Sequence, residues 1–186
     1  MNSSVFFTLF PVLILFGVIW LIKTVNKLRR YRVIIQESKK NVDIALAKRY
    51  DTISQMIKVA RSFARHEKST FSDLIALRGG LSIREFNSTI QKQDQTIGKI
   101  YALAESYPEL RSSEEFLALQ REIDEENEQL AAAKRIVNNN ISILNQEIVT
   151  FPTSVVARLS GIDQTEFLTE EALDTKKTIH DFDYEV

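Results

Sequence analysis

The chain has 186 residues and a nearly balanced charge, 24 Lys and Arg against 25 Asp and Glu, for a net of −1. Five glycines and three prolines leave little material for tight turns, glycine-rich phosphate loops or β-meanders, so the expected class is all-α. Cysteine is absent, which excludes disulfides, thiolate metal sites, a cysteine nucleophile and an acylated N-terminal cysteine.

After a short N-terminus at 1–4, residues 5–22 carry no charge, and only Thr8, Pro11 and Gly17 interrupt the apolar and aromatic side chains. At 1.5 Å per residue the run reaches ~27 Å, close to the thickness of a bilayer's hydrocarbon layer. No basic residue precedes it and no small-residue cleavage pattern follows, so an uncleaved transmembrane helix is favoured over a signal peptide. Trp20 stands at its end, where an indole prefers the headgroup region, and Lys23, Lys27, Arg29, Arg30 and Arg32 follow. That cationic flank predicts a single pass through the inner (cytoplasmic) membrane with the N-terminus outside. It also predicts contact with anionic lipid headgroups along a basic juxtamembrane helix at 23–40, in preference to nucleic acid.

Neither glycine nor proline occurs from Val18 to Arg78, so the anchor is expected to continue into a helical bundle at 41–160. Val42, Leu46, Ile53, Met56, Ile57, Ala60, Ala64, Phe71, Leu74 and Leu77 recur at helical spacing along this first helix, and Gly79-Gly80 ends it. A kink at 66–69 is compatible with the pattern.

Ser82-Ile83-Arg84-Glu85 reads as a capping box that opens a second helix, with Phe86, Ile90, Ile97, Ile100, Tyr101 and Ala104 on its apolar face. Pro108 stops it at Tyr107. Ser112-Ser113-Glu114-Glu115 reads as a second capping box, opening a third helix whose stripe is Phe116, Leu119, Ile123, Leu130, Val137, Ile141, Leu144 and Ile148. The stripe runs in coiled-coil heptads to Phe151-Pro152, and the short connection at 107–112 makes the second and third helices antiparallel. A short fourth helix is expected over Thr153–Leu159. Residues 161–186 are acidic and lose the apolar period, which predicts a mostly disordered tail.

Several of these stretches together resemble the LemA family of bacterial proteins. They are Val42-Asp43-Ile44, Lys48-Arg49-Tyr50-Asp51, Ala64-Arg65-His66-Glu67-Lys68 and Ala76-Leu77-Arg78, then the unbroken run from Ile100 to Leu110, and Phe116-Leu117-Ala118-Leu119-Gln120. Asn138, Asn145 and Phe151-Pro152 lie at the family's distances beyond them. The chain departs from the family pattern at Ser54, Gln55, Asn127 and Val137. The resemblance implies a membrane-anchored helical bundle without assigned catalytic residues or cofactor, in a family with one branch tied to magnetosome membranes.

The residues themselves support the same expectation of no enzyme, no catalytic residue, no cofactor and no metal. His66-Glu67 lacks the second histidine of a zinc-protease helix, and His180 lies in the acidic tail. Glu122, Asp124, Glu125, Glu126 and Glu128 point all round the third helix and read as a solvated face. Two poorly placed histidines leave no base for a nucleophile. Polar residues at core phase are more informative: Glu67, Gln93 or Asp94, Asn127 and Lys134. Buried polar groups must be paired, so Lys134 is expected to meet Glu67 or Asp94 in a layer that fixes register. The functional expectation is an interaction or scaffolding module with an unknown protein partner or self-association. The alternative is an accessory subunit of a membrane complex such as a protease or transporter.

Overall fold

The computed structural model describes residues 3–63 and 82–169, with side chains from Leu9 onward. Five helices follow in order: α1 (Ser3–Phe63), α2 (Ile83–Ser106), α3 (Pro108–Arg111), α4 (Glu114–Val149) and α5 (Thr153–Leu159). Among the described residues there is no strand, and the chain is all-α. The segments containing the expected kink at 66–69, the glycine stop at Gly79-Gly80, and Ala64, Glu67, Phe71, Leu74 and Leu77 lie outside the described residues, as does 170–186.

α1 contains the apolar run without a break, Pro11 included. From Leu9 to Ile22 its large side chains are exposed all round, and this helix is long and apolar enough to cross a membrane. Burial then sets in with a heptad rhythm. Leu28, Ile35, Val42, Arg49 and Met56 fall seven apart, interleaved with Thr24, Ser38, Ala45, Thr52 and Val59. Two of the interleaved hydroxyls satisfy themselves within the helix: Thr24 donates to the Trp20 carbonyl at 2.9 Å and Ser38 to that of Ile35 at 2.9 Å.

The chain divides into two compact units, each drawing on part of α1 and part of α4. The first combines Met1–Val42 with Ala132–Glu166. It buries Leu28 and Ile35 of α1, Val137, Ile141 and Leu144 of α4, Val156 and Ala157 of α5, and Ile162. α4 lies along the part of α1 that is buried, 28–42, and leaves 9–22 bare. Since Lys27 at the near end of that stretch pairs with Glu147 in the last turn of α4, the two helices are antiparallel here.

The second unit combines Asp43–Ala131 with Phe167–Val186. One apolar cluster joins Ile53, Met56, Ile57, Val59 and Ala60 of α1 to Ile97, Ile100 and Ala104 of α2, Leu110 of α3, and Phe116, Leu119 and Ile123 of α4. α3 turns the chain so that α4 returns antiparallel to α2. α2 itself follows the direction of α1, because Gln93 and Asp94 meet Leu46 and Arg49 while 97–104 clusters with 53–60. Phe116, fully buried, is the largest side chain of this core, and its removal is expected to cost ~3–5 kcal/mol.

The caps explain the boundaries. Ser82 Oγ accepts from the Glu85 N–H at 3.2 Å while the Glu85 carboxylate accepts from the Ser82 N–H at 2.8 Å, the expected capping box. At the second site the structure corrects the sequence reading. Ser112 is used by the end of α3, donating to the carbonyls of Pro108 and Glu109, and it is Ser113 Oγ that accepts from the Phe116 N–H at 3.2 Å. The fourth residue of this cap is thus Phe116 and no glutamate returns the bond.

Two further corrections concern α4 and the segment after α5. Buried positions run Phe116, Leu119, Ile123, Glu126, Leu130, Ala133, Val137 and then Ile141, so two four-residue steps meet at Val137 and interrupt the strict heptads. Asn127, expected in the core, is exposed, and Lys134 is half-buried, because the core phase falls one residue earlier at Glu126 and Ala133. Residues 161–169, the start of the stretch read from the sequence as a mostly disordered tail, are packed despite lacking regular structure. Ile162 and Leu168 are buried, and Gly161 turns the chain with φ 62°, a conformation open to glycine.

Candidate functional site

The polar residues at core phase converge in the second unit. Arg49 is 4% exposed on α1, and its Nη2 donates to Asp94 Oδ1 of α2. One turn along α1, Thr52 Oγ1 donates to Glu126 Oε1 of α4 at 3.0 Å. Gln93, fully buried, donates from Nε2 to the Leu46 carbonyl at 3.0 Å, reaching a helix backbone that already carries its own hydrogen bonds. A cation, two carboxylates, a hydroxyl and an amide thus tie α1 to both of its neighbours in this unit.

Burial raises the pKa of Glu126 above the ordinary carboxyl range, and neighbouring Glu122 adds to the rise; the Thr52 hydroxyl, Arg49 and Lys48 oppose it. Glu126 Oε2 and Arg49 Nε and Nη1 have no hydrogen-bond partner among the described residues. Tyr101 stands beside the same cluster: burial lifts its phenol pKa, Asp124 adds to that, and Arg49 counteracts it.

Two open depressions flank the cluster. One, about 330 Å³, is lined by Lys48, Asp51, Thr52 and Gln55 of α1 and by Glu122, Glu125, Glu126 and Gln129 of α4. Its basic and acidic residues are mixed, and among the described residues no group of three His, Asp or Glu is arranged to hold a metal ion. The other, about 530 Å³, is lined by Tyr101, Leu117, Gln120, Arg121 and Asp124.

Of the alternatives Gln93 or Asp94 expected at core phase on α2, Gln93 is the buried one and Asp94 is half-buried beside it. Asp94 meets Arg49 in place of Lys134, while Glu67, His66 and His180 lie outside the described residues. Of the acidic run on α4, Glu122, Asp124, Glu125 and Glu128 are exposed and Glu126 is buried. Arg49 and Thr52 were missed, although a signal was present: the step from Leu46 to Ile53 skips a turn of the apolar stripe, and those two residues fill it.

In the first unit, Lys23, Lys27, Arg29, Arg30 and Arg32 are all exposed. Lys27 Nζ donates to Glu147 Oε1, and that hydrogen bond raises the lysine's pKa above its ordinary value. The same ammonium lies 5.8 Å from the centre of the Tyr31 ring. Two residues before Glu147 on α4, Asn145 clasps the chain after α5: Nδ2 donates to the Thr165 carbonyl and Oδ1 accepts from the Thr165 N–H, both at 2.9 Å.

The profile of the LemA family matches residues 38–181 of this sequence, most of its length. The chain belongs to the LemA family. No curated protein matches it. Seen in this structure, the LemA motifs are packing and pairing elements: Ile100, Ala104, Leu110, Phe116 and Leu119 build the second unit's core, Arg49 makes the ion pair, and Asn145 makes the clasp.

Proposed function

We propose that this LemA-family protein is a single-pass membrane protein whose helical body lies in the cytoplasm and acts as a non-enzymatic interaction or scaffolding module. The observation that carries the reading is the continuity of α1. One helix holds both the exposed apolar run at 9–22 and the buried heptads from Leu28 to Met56, with five exposed cations where the two meet. A cationic flank is retained against the membrane potential and favours anionic headgroups, which supports an N-terminus outside and contact of Lys23, Lys27, Arg29, Arg30 and Arg32 with lipid phosphates. The polar residues of the second unit support a structural role, since Arg49, Asp94, Gln93, Thr52 and Glu126 bond across helices.

The test is chemical crosslinking in intact membranes followed by mass spectrometry of the crosslinked peptides. Crosslinks from exposed lysines of the helical body to a second copy or to a defined set of proteins support the scaffold. Crosslinks confined to the membrane-spanning run, joining it to helices of one membrane enzyme or transporter, favour the alternative of an accessory subunit. Recovery of the protein in the soluble fraction after cell breakage removes both.

A further inference from the structure

The last turn of α4, the turn at 150–152 and α5 form a corner in the first unit that is apolar on two sides. Val156 and Ala157 face inward and are buried. Val149, Phe151, Val155 and Leu159 face outward, with Phe151 80% and Leu159 79% exposed, and Arg158 and Ser160 on either side of Leu159 are exposed too. Apolar side chains on the face turned away from the core call for a second apolar environment.

The position of the corner says which environment. α4 runs antiparallel to α1, and Glu147 is level with Lys27. Val149 therefore lies about 3 Å nearer the membrane-spanning run than Glu147, while Ile22 lies about 7.5 Å from Lys27 in the same direction, at 1.5 Å per helical residue. The end of α4 is thus within a few ångströms of the apolar run's boundary. The chain cannot carry the corner elsewhere, because it is back beside Asn145 by Thr165. Lys23 and Arg30, within about a turn and a half of Lys27 on α1, are exposed, as is Arg158 of α5, and all three complement anionic headgroups.

We infer that the α4–α5 corner is a second membrane contact, in which Phe151, Val155 and Leu159 enter the interfacial layer of the same leaflet that the cationic flank of α1 touches. The inference rests on the anchored reading above. Aromatic and aliphatic side chains beside basic ones are what interfacial binding requires, and the contact depth is set by the antiparallel pairing of α1 and α4.

The absence of cysteine makes the test direct. Single Phe151→Cys, Leu159→Cys, Leu15→Cys and Ile136→Cys variants of the full chain, each at an exposed position, are labelled with a polarity-sensitive fluorophore. They are then reconstituted into phosphatidylcholine–phosphatidylglycerol vesicles carrying nitroxide lipids. Ile136, exposed on α4 and about 16 Å along the helix from Glu147, is the control away from the bilayer. The expected result is blue-shifted emission and several-fold stronger quenching at 151 and 159 than at 136, with a shallow nitroxide more effective than a deep one, and deep quenching at 15. Quenching at 15 with 151 and 159 behaving like 136 overturns the inference and leaves the anchor standing. Blue-shifted emission at 151 and 159 that nitroxide lipids do not quench also overturns it, and assigns the corner to a protein surface. Loss of quenching at 15 overturns the anchored reading itself.

Discussion

Arg49 Nη2 donates to Asp94 Oδ1 across the α1–α2 contact, and the two side chains meet from different surroundings: that of Arg49 is 5% exposed and that of Asp94 36%. Removing the carboxylate leaves a desolvated cation without compensation, which costs 3–5 kcal/mol for a fully buried pair. Because water reaches Asp94, Asp94→Asn is expected to cost about 2–3 kcal/mol. Arg49→Met in the Asp94→Asn background is expected to recover most of that loss, since an apolar side chain of similar length suits the site. Thermal or denaturant melts of the full chain in detergent measure both. A double variant as unstable as Asp94→Asn alone would show that the guanidinium contributes more than its charge.

Glu126 gives stability a pH dependence of defined sign. Burial raises its folded pKa above the unfolded one, so the folded state holds the proton more tightly. Its contribution is favourable below the ordinary carboxyl pKa and is lost as pH rises through the raised value. Glu126→Gln, which keeps an acceptor for the Thr52 hydroxyl, is therefore expected to be neutral or stabilising at pH 7. The difference from the parent should close as pH falls toward about 4. Thr52→Val should act oppositely at neutral pH, costing about 1–2 kcal/mol by leaving a buried carboxylate without its donor, and less in acid. Melting curves across that range report each slope.

At the start of α2, Ser82→Ala removes the acceptor for the Glu85 N–H and half of a reciprocal pair. A loss of ~1 kcal/mol is expected. Ser112→Ala should cost distinctly less than Ser113→Ala, since the Ser113 hydroxyl caps α4 and that of Ser112 only returns to α3 carbonyls. Equal melting temperatures for those two variants would contradict the assignment of the cap.

Orientation is tested by cysteine labelling in intact cells. Ser3→Cys is expected to react with a membrane-impermeant maleimide, whereas Gln129→Cys, at an exposed position of α4, should react only after lysis. The reverse pattern would place the helical body outside the cytoplasm.

The helices were legible because their signals are local. The capping box at Ser82, Pro108 after Tyr107, and Phe151-Pro152 after α4 each act over a few residues, and apolar side chains from Val42 to Ala60 mark their own face. The buried polar layer was only half legible. Gln93 and Asp94 stand out against an apolar stripe, whereas Arg49 reads as one more charged residue in a polar stretch until its partner is known. The phase of α4 was misjudged at Asn127 for a related reason. A glutamate among four acidic neighbours gives no hint that it alone turns inward, and the choice between Glu126 and Asn127 depends on the Thr52 hydroxyl of another helix. The packing of 161–169 depends likewise on distant residues, Asn145 and Asn87, the latter accepting from the Thr169 N–H at 3.0 Å.

Asn145 uses both ends of one amide on one residue, as a neighbouring strand would, and so ties the chain at 165 to α4. The segment from 145 to 165 is then a closed loop, and α5 is held in it at both ends. Such a loop has spent its conformational entropy during folding, so a surface that α5 meets need not order it again. Asn145→Ala would open the loop at one end, and the cost would appear less as lost stability of the body than as weaker attachment by an element that must then be ordered at each encounter.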